Sequence, residues 1–202
     1  MGHGRLYDIL AHVVFGSRRN RVFARLAALS GTRPGDHVLD VGCGTGVLTR
    51  AVARCAAPGG SAIGVDPSEG ALARARRTTR LDNCTFQVDR AEALALPDTD
   101  YDVVVSSLMI HHLADQDRAR ALAEMFRVLR PGGRVLVAEF RPPGNAIVRR
   151  LIRPVVSPAM ETNPIHLLEP MLTAAGFDHV TSGDLRPWIR FVGAVKPETT
   201  GS

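Results

Sequence analysis

Val38-Leu39-Asp40-Val41-Gly42-Cys43-Gly44-Thr45-Gly46 is the stretch whose reading decides the fold. An apolar run holding one acid leads straight into three closely spaced glycines, the pattern of a short strand that turns into a helix around a ligand. Glycine permits positive φ and lets the backbone approach a bound group closely. The spacing is not the dinucleotide fingerprint, which registered on Gly42 and Gly44 needs glycine where Val47 stands. It is not a phosphate-cradling Walker loop either, since no Gly-Lys-Ser/Thr follows. Asp40, ahead of the first glycine, would repel a pyrophosphate and suits a cationic ligand.

Further along, Gly64-Val65-Asp66-Pro67 ends the next apolar run in an acid. A carboxylate at that place accepts hydrogen bonds from both hydroxyls of a ribose. The two acids together ask for a nucleoside without a diphosphate and with a positive appendage. S-adenosylmethionine, with its sulfonium and ammonium groups, fits.

Working outward, residues 18–30 read as an amphipathic helix, with Val22, Phe23, Leu26, Ala27 and Leu29 at helical spacing and Gly31, Pro34 and Gly35 as the stop. Strand 37–41 is followed by helix 47–57, strand 61–66, helix 68–79, and strands 85–88 and 101–106. Helix 115–130, closed by Pro131-Gly132-Gly133, leads into strand 134–140. From 141 to 163 prolines are frequent and no single period holds. Helix 164–175 and strands 178–182 and 188–195 complete the chain. The pattern predicts an α/β fold, a Rossmann-like doubly wound sheet of seven strands, mostly parallel with an antiparallel strand near the C-terminal edge. In such sheets ligands sit outside the carboxyl ends of the strands.

Composition is compatible with this. The 202 residues are 45% hydrophobic and 22% charged, which supports a sizeable core and excludes a disordered tail, a collagen-like fibre or a disulfide mini-protein. No apolar run approaches the ~20 residues of a membrane span, and no signal-peptide core follows Met1, so a cytoplasmic protein is expected. Cys43, Cys55 and Cys84 are odd in number and form no C-x-x-C pair, which argues against a zinc site or disulfide framework. The net charge of +5 is carried almost wholly by arginine, Lys196 being the only lysine, and it invites a nucleic-acid or anionic-membrane partner.

The glycine stretch resembles the first motif of the class I S-adenosylmethionine-dependent methyltransferases, and Asp66 matches their ribose-binding acid. The resemblance runs on through Ala91-Glu92-Ala93-Leu94-Ala95-Leu96-Pro97, Tyr101-Asp102-Val103-Val104, Ile110-His111-His112-Leu113 and Phe126-Arg127-Val128-Leu129-Arg130-Pro131-Gly132-Gly133-Arg134. These segments are similar to the ubiquinone/menaquinone-biosynthesis type. The likeness is good from about 32 to 140 and poor beyond. It implies one methyltransferase domain over 1–202, with 1–30 as an N-terminal helical cap carrying Tyr7, Asp8 and His12, and 141–163 as a variable acceptor-side segment. The cofactor set it implies is Asp40, Gly42, Cys43, Gly44, Thr45, Gly46, Asp66, Pro67, Asp89, Arg90, Ala91, Ser106 and Ser107. One departure stands out: Asp89-Arg90-Ala91 replaces the usual Gly-Asp-Ala, so either Asp89 takes the adenine role through a shifted turn or Arg90 and the Ala91 N–H do.

Each residue also has an ordinary role. Asp40 is expected to bond backbone groups of the glycine turn besides acting electrostatically. Cys43 reads as a small packing residue, because no base is paired with it. His111 and His112 follow the fourth strand, where a methyl acceptor would approach. A loop hydrogen bond or helix cap slightly outweighs general-base work for each taken singly. Adjacent histidines are expected to point apart, and no metal set emerges. Residues 146–153 mix apolar and cationic side chains, with a solvated face favoured over peripheral membrane contact. Trp188 reads as core or sheet-edge packing.

The expected reaction is in-line transfer of a methyl group from S-adenosylmethionine to a small or lipid-like metabolite, leaving S-adenosylhomocysteine. A non-catalytic cofactor-binding or scaffold protein would bind without turnover, and a nicotinamide dehydrogenase would need the other glycine spacing. A nucleic-acid enzyme is disfavoured because Ser106-Ser107-Leu108-Met109 lacks the Asn/Asp-Pro-Pro-aromatic signature of base amino methylation.

Overall fold

The computed structural model describes residues 19–141, 143–144, 150, 165–186 and 188–198. Tyr7, Asp8, His12 and nearly all of 145–164 lie outside them. In chain order the elements are α1 (Arg19–Leu29), β1 (His37–Val41), α2 (Val47–Ala56), β2 (Ser61–Asp66), α3 (Glu69–Thr78) and β3 (Cys84–Val88). Then follow β4 (Tyr101–Ser107), a 3-10 turn (Ile110–His112), α4 (Asp115–Val128), β5 (Leu129–Phe140), a second 3-10 turn (Ile165–Leu167), α5 (Leu168–Ala174), β6 (Asp178–Leu185) and β7 (Ile189–Val195).

The strands form one sheet in the order β3-β2-β1-β4-β5-β7-β6. β1 to β5 are parallel, and β7 runs antiparallel to both of its neighbours, β5 and β6. Alternation along β1 explains why the sheet is covered twice. Val38 lies in the core that also holds Val22, Phe23 and Leu26 of α1, Leu48 and Val52 of α2, and Leu72 of α3. Leu39 and Val41 face the other way, into the core that also holds Leu122 and Met125 of α4 and Leu172 of α5. Ser68 caps α3 through its Oγ, which accepts from the Ala71 N–H at 3.3 Å, with Glu69 in the first turn. Strand order reverses between β1 and β4, which opens the crevice at their carboxyl ends.

Boundaries differ where tertiary contacts intervene. The sequence pattern carries the fourth long helix to 130 and starts the strand at 134, whereas α4 stops at Val128 and β5 begins at Leu129. Leu129 pairs with Tyr101, the ladder shifts register, and pairing resumes at Arg134 with Val103. The Lys196 ammonium closes this corner by donating to the carbonyls of Phe126 and Leu129 at 2.8 and 2.7 Å. The expected helix over 164–175 divides into a 3-10 turn and α5. A continuous helix would set Pro170 against the carbonyl of residue 166, whereas restarting at Leu168 leaves it in a first turn. β6 runs on to Leu185 because it pairs with Ile189 across the hairpin. Trp188 meets the Phe140 ring edge-on at 6.4 Å, as core packing requires.

Many arginines are paired within the chain: Arg76 with Glu69, Arg118 with Asp115, Arg127 with Glu124, Arg130 with Asp102, Arg134 with Asp36 and Arg190 with Glu169. Much of the basic character therefore meets acids of the same surface. Among the described residues no helix is long and apolar enough to cross a membrane.

Candidate active site

The glycine turn between β1 and α2 has φ of +72° at Gly42, +51° at Gly44 and +72° at Gly46. The three glycines do different things. A Cβ on Gly42 would collide with the Met109 side chain, and one on Gly46 would stand 2.5 Å from the Phe86 ring. Over Gly44 there is nothing within 4 Å, so here the backbone is bare toward open space. The Gly42 and Cys43 N–H groups donate to the Val65 carbonyl at 2.8 and 2.9 Å, which ties the turn to β2. Thr45 is partly buried, and its carbonyl accepts from Arg50 Nη1 at 3.0 Å.

Asp66 organises this turn. Its Oδ2 accepts from the Gly44 N–H at 2.8 Å and its Oδ1 from the Ser68 N–H at 2.9 Å, spanning the exposed Pro67. Further acceptor capacity remains on both oxygens. Asp40 behaves otherwise than the sequence reading expected. It is wholly buried, and Oδ2 accepts from the Thr49 hydroxyl at 2.6 Å, so it is bound to the first turn of α2 and not to the glycine turn. Its Oδ1 has no hydrogen-bond partner among the described residues. Burial pushes the Asp40 carboxyl up to about 7, and the charge of Asp66 adds to the effect. Burial, then Asp40 and Asp66, also pushes the Cys43 thiol up, which keeps it protonated and unfit as a nucleophile.

At the end of β3, Asp89 is engaged within its own turn: Oδ1 accepts from the Arg90 N–H at 2.8 Å and Oδ2 from the Ala95 N–H at 3.0 Å. Arg90 directs its guanidinium to Glu92, Nε lying 2.7 Å from Oε1, while Ala91 is buried. Val88, which the sequence reading did not single out, exposes 54% of its surface next to this turn.

Beyond β4 the chain makes a strained corner. Ser106 and Ser107 are buried, and the Ser106 Oγ has no partner among the described residues. Leu108 takes a φ of 56°, held by its N–H on the Ala138 carbonyl at 2.8 Å. His111 is fully buried, with Nδ1 2.6 Å from Oε2 of the equally buried Glu139. Oε1 of Glu139 accepts from the Met109 and Ile110 N–H groups at 3.1 and 2.7 Å. His112 is exposed, and partial burial followed by the His111 charge holds its imidazole below the usual histidine range. The two rings do not diverge as expected: their centroids are 4.0 Å apart at 42°. Glu139 escaped the sequence reading because an acid within an apolar strand carries no spacing signal. Its one hint was a charge where an alternating core position should be apolar.

The open face over Gly44, the unpartnered Oδ1 of Asp40 and the remaining acceptor capacity of Asp66 fit a ribose-bearing cation. Together with the strand order, these features define a class I methyltransferase architecture. Residues 38–133 match the family described as "Methyltransferase domain". The chain is 37% identical over 147 residues to a demethylmenaquinone methyltransferase of Symbiobacterium thermophilum, covering 71% of this chain and 58% of that protein. It is also 37% identical over 151 residues to the ubiquinone/menaquinone biosynthesis C-methyltransferase UbiE of Ectopseudomonas mendocina, covering 72% and 57%. A SAM-dependent methyltransferase structure from Aquifex aeolicus superposes with a TM-score of 0.73 at 19% identity, over 93% of this chain and 97% of that one, a likeness of fold. The chain is thus similar to the class I S-adenosylmethionine-dependent methyltransferases, and among them to the ubiquinone/menaquinone type. It spans less than three-fifths of the length of these two curated relatives.

Proposed function

We propose that the chain transfers the methyl group of S-adenosylmethionine to a small lipophilic acceptor of the reduced-quinone class. The observation that carries the cofactor half is the glycine turn, bare over Gly44 and buttressed by Asp66. The acceptor half is supported by the two quinone-pathway relatives. When bound, the cofactor supplies an electrophilic methyl on a sulfonium that leaves as a neutral thioether. Asp66 would hold the ribose hydroxyls, with Pro67 shaping its loop. Gly42, Cys43, Gly44, Thr45 and Gly46 would pass their backbone beneath the cofactor, and buried Asp40 would favour its positive end through the field. The Asp89-Arg90-Ala91 turn and Val88 would border the adenine. Ser106, Ser107, His111 and His112 would line the approach of the acceptor, with residues 1–30 and 141–163 completing a single domain around it. Such a site works chiefly by orientation and exclusion of water.

Calorimetric titration with S-adenosylmethionine and S-adenosylhomocysteine, followed by a methyl-transfer assay on chemically reduced short-chain demethylmenaquinone, tests the proposal. Binding of both cofactor forms with formation of the methylated quinol is expected. Binding without transfer to any acceptor would identify a cofactor-binding scaffold, and absence of binding would refute the proposal.

A further inference from the structure

We infer that Glu139 is a positioning residue that keeps the proton of His111 on Nδ1, so that Nε2 presents a buried lone pair to the hydroxyl of the methyl acceptor. The inference rests on the acceptor reading above for its second half only.

Ile110-His111-His112 follows β4 and Glu139 is the penultimate residue of β5, so neighbouring parallel strands bring the two side chains to the carboxyl edge of the sheet. That is the edge of the glycine turn, and Met109, two residues before His111, packs directly against Gly42. Glu139 accepts two backbone N–H groups on Oε1, an arrangement suited to an ionised carboxylate, which can only accept. With an ionised carboxylate as its partner, the 2.6 Å contact on Oε2 carries its hydrogen on Nδ1. His111 Nε2 is buried and has no hydrogen-bond partner among the described residues. A hydrogen there would be a buried donor without an acceptor, whereas an unfilled lone pair costs less. The turn that holds this ring contains a non-glycine residue at positive φ, Leu108, and Glu139 anchors the next two N–H groups. Such strain persists only where its surroundings over-determine it, and it gathers at functional sites.

A ring oriented in this way is set to take the proton of an acceptor hydroxyl: the O–H bond breaks, Nε2–H forms, and the resulting imidazolium stands beside the Glu139 carboxylate. Among the described residues, other charged or titratable groups touching the turn are His112, whose ring lies against His111, and Arg118, whose Nε donates to the Ile110 carbonyl at 3.2 Å. Neither contacts Nε2 through a hydrogen bond.

The substitution Glu139→Gln separates this role from a purely structural one. The amide oxygen still accepts the Met109 and Ile110 N–H groups, but the amide NH2 now faces Nδ1 and drives the hydrogen to Nε2. Long-range 1H–15N correlation spectra of protein labelled at histidine nitrogens read the tautomer without any acceptor. Nδ1–H is expected in the unsubstituted protein and Nε2–H in E139Q. A second variant, His111→Asn, keeps an N–H donor for Glu139 and deletes Nε2. Both variants are expected to lower kcat for reduced short-chain demethylmenaquinone by about 100-fold or more, with S-adenosylmethionine affinity by calorimetry unchanged. The same quinol, added with S-adenosylhomocysteine, is expected to shift the His111 Nε2 resonance. An Nε2–H signal in the unsubstituted protein, undiminished kcat in H111N, or quinol binding without a shift at Nε2 would overturn the inference. A protein that shows Nδ1–H but neither binds nor methylates the quinol would overturn the acceptor half and leave the tautomer established.

Discussion

Asp40, the glycine turn, Thr49 and Asp66 all come from one strand–turn–helix–strand unit, in which Thr49 meets Asp40 nine positions away and Gly44 meets Asp66 22 positions away once β1 and β2 have paired. The His111–Glu139 contact on the other side of the crevice joins residues 28 positions apart, brought together only because β4 and β5 pair. The first region is built from backbone conformations that a short motif can encode. The second is a buried polar network that needs the finished sheet. Among the described residues both leave one buried polar atom without a partner, Asp40 Oδ1 and His111 Nε2, and in both a carboxylate holds backbone N–H groups of a turn with positive φ.

If that contrast holds, stability should respond most to the second region and ligand binding most to the first. Replacing Glu139 by alanine strands the Met109 and Ile110 N–H groups and His111 Nδ1, and is expected to cost ~3–5 kcal/mol in urea unfolding. A loss under ~1 kcal/mol would end the comparison. On the cofactor side, Asp66→Ala should weaken S-adenosylmethionine about 100-fold in calorimetry, because ribose contacts to a charged acceptor are worth ~1.5–3 kcal/mol each. The glycines sharpen the point. Gly46→Ala presses a methyl into Phe86 and should lower stability by ~2 kcal/mol, whereas Gly44→Ala meets empty space. The latter should cost only ~1 kcal/mol in unfolding while removing most cofactor affinity.

The smallest expected effect on cofactor binding is a pH dependence. Burial raises the Asp40 carboxyl from 3.8 to about 7, so the folded chain resists its ionisation. Stability of the cofactor-free protein should therefore fall as pH rises from about 4 toward 7, while a bound cation favours the ionised form. S-adenosylmethionine affinity should accordingly increase roughly tenfold between about pH 6 and 8. Asp40→Asn should flatten both profiles, as followed by thermal unfolding and calorimetry.

Much of the fold was legible because periodicity, glycine and proline carry local information. The limits of α1, β1 and β2 follow from the apolar pattern and the turn residues beside it. The end of α4 was not legible, since Lys196 and the pairing of Leu129 with Tyr101 set it from afar. In the site, the glycine turn and Asp66 were legible as a unit. The partner of Asp40 was misjudged because a threonine in a helix has no signature for a buried acid. The geometry of the histidine pair was misjudged because a 3-10 turn brings its rings together.

By itself the sequence determined an alternating α/β chain whose first turn needs three glycines and whose second strand ends in an acid, since φ freedom and strand periodicity are local properties. Only the tertiary structure decided that Gly44, of the three glycines in that turn, lies open, that Asp66 and not Asp40 braces the turn, and that Glu139 governs His111. Burial and hydrogen-bond partnership are set by which strands become neighbours, and residues distant in the chain meet only when the sheet has closed around them.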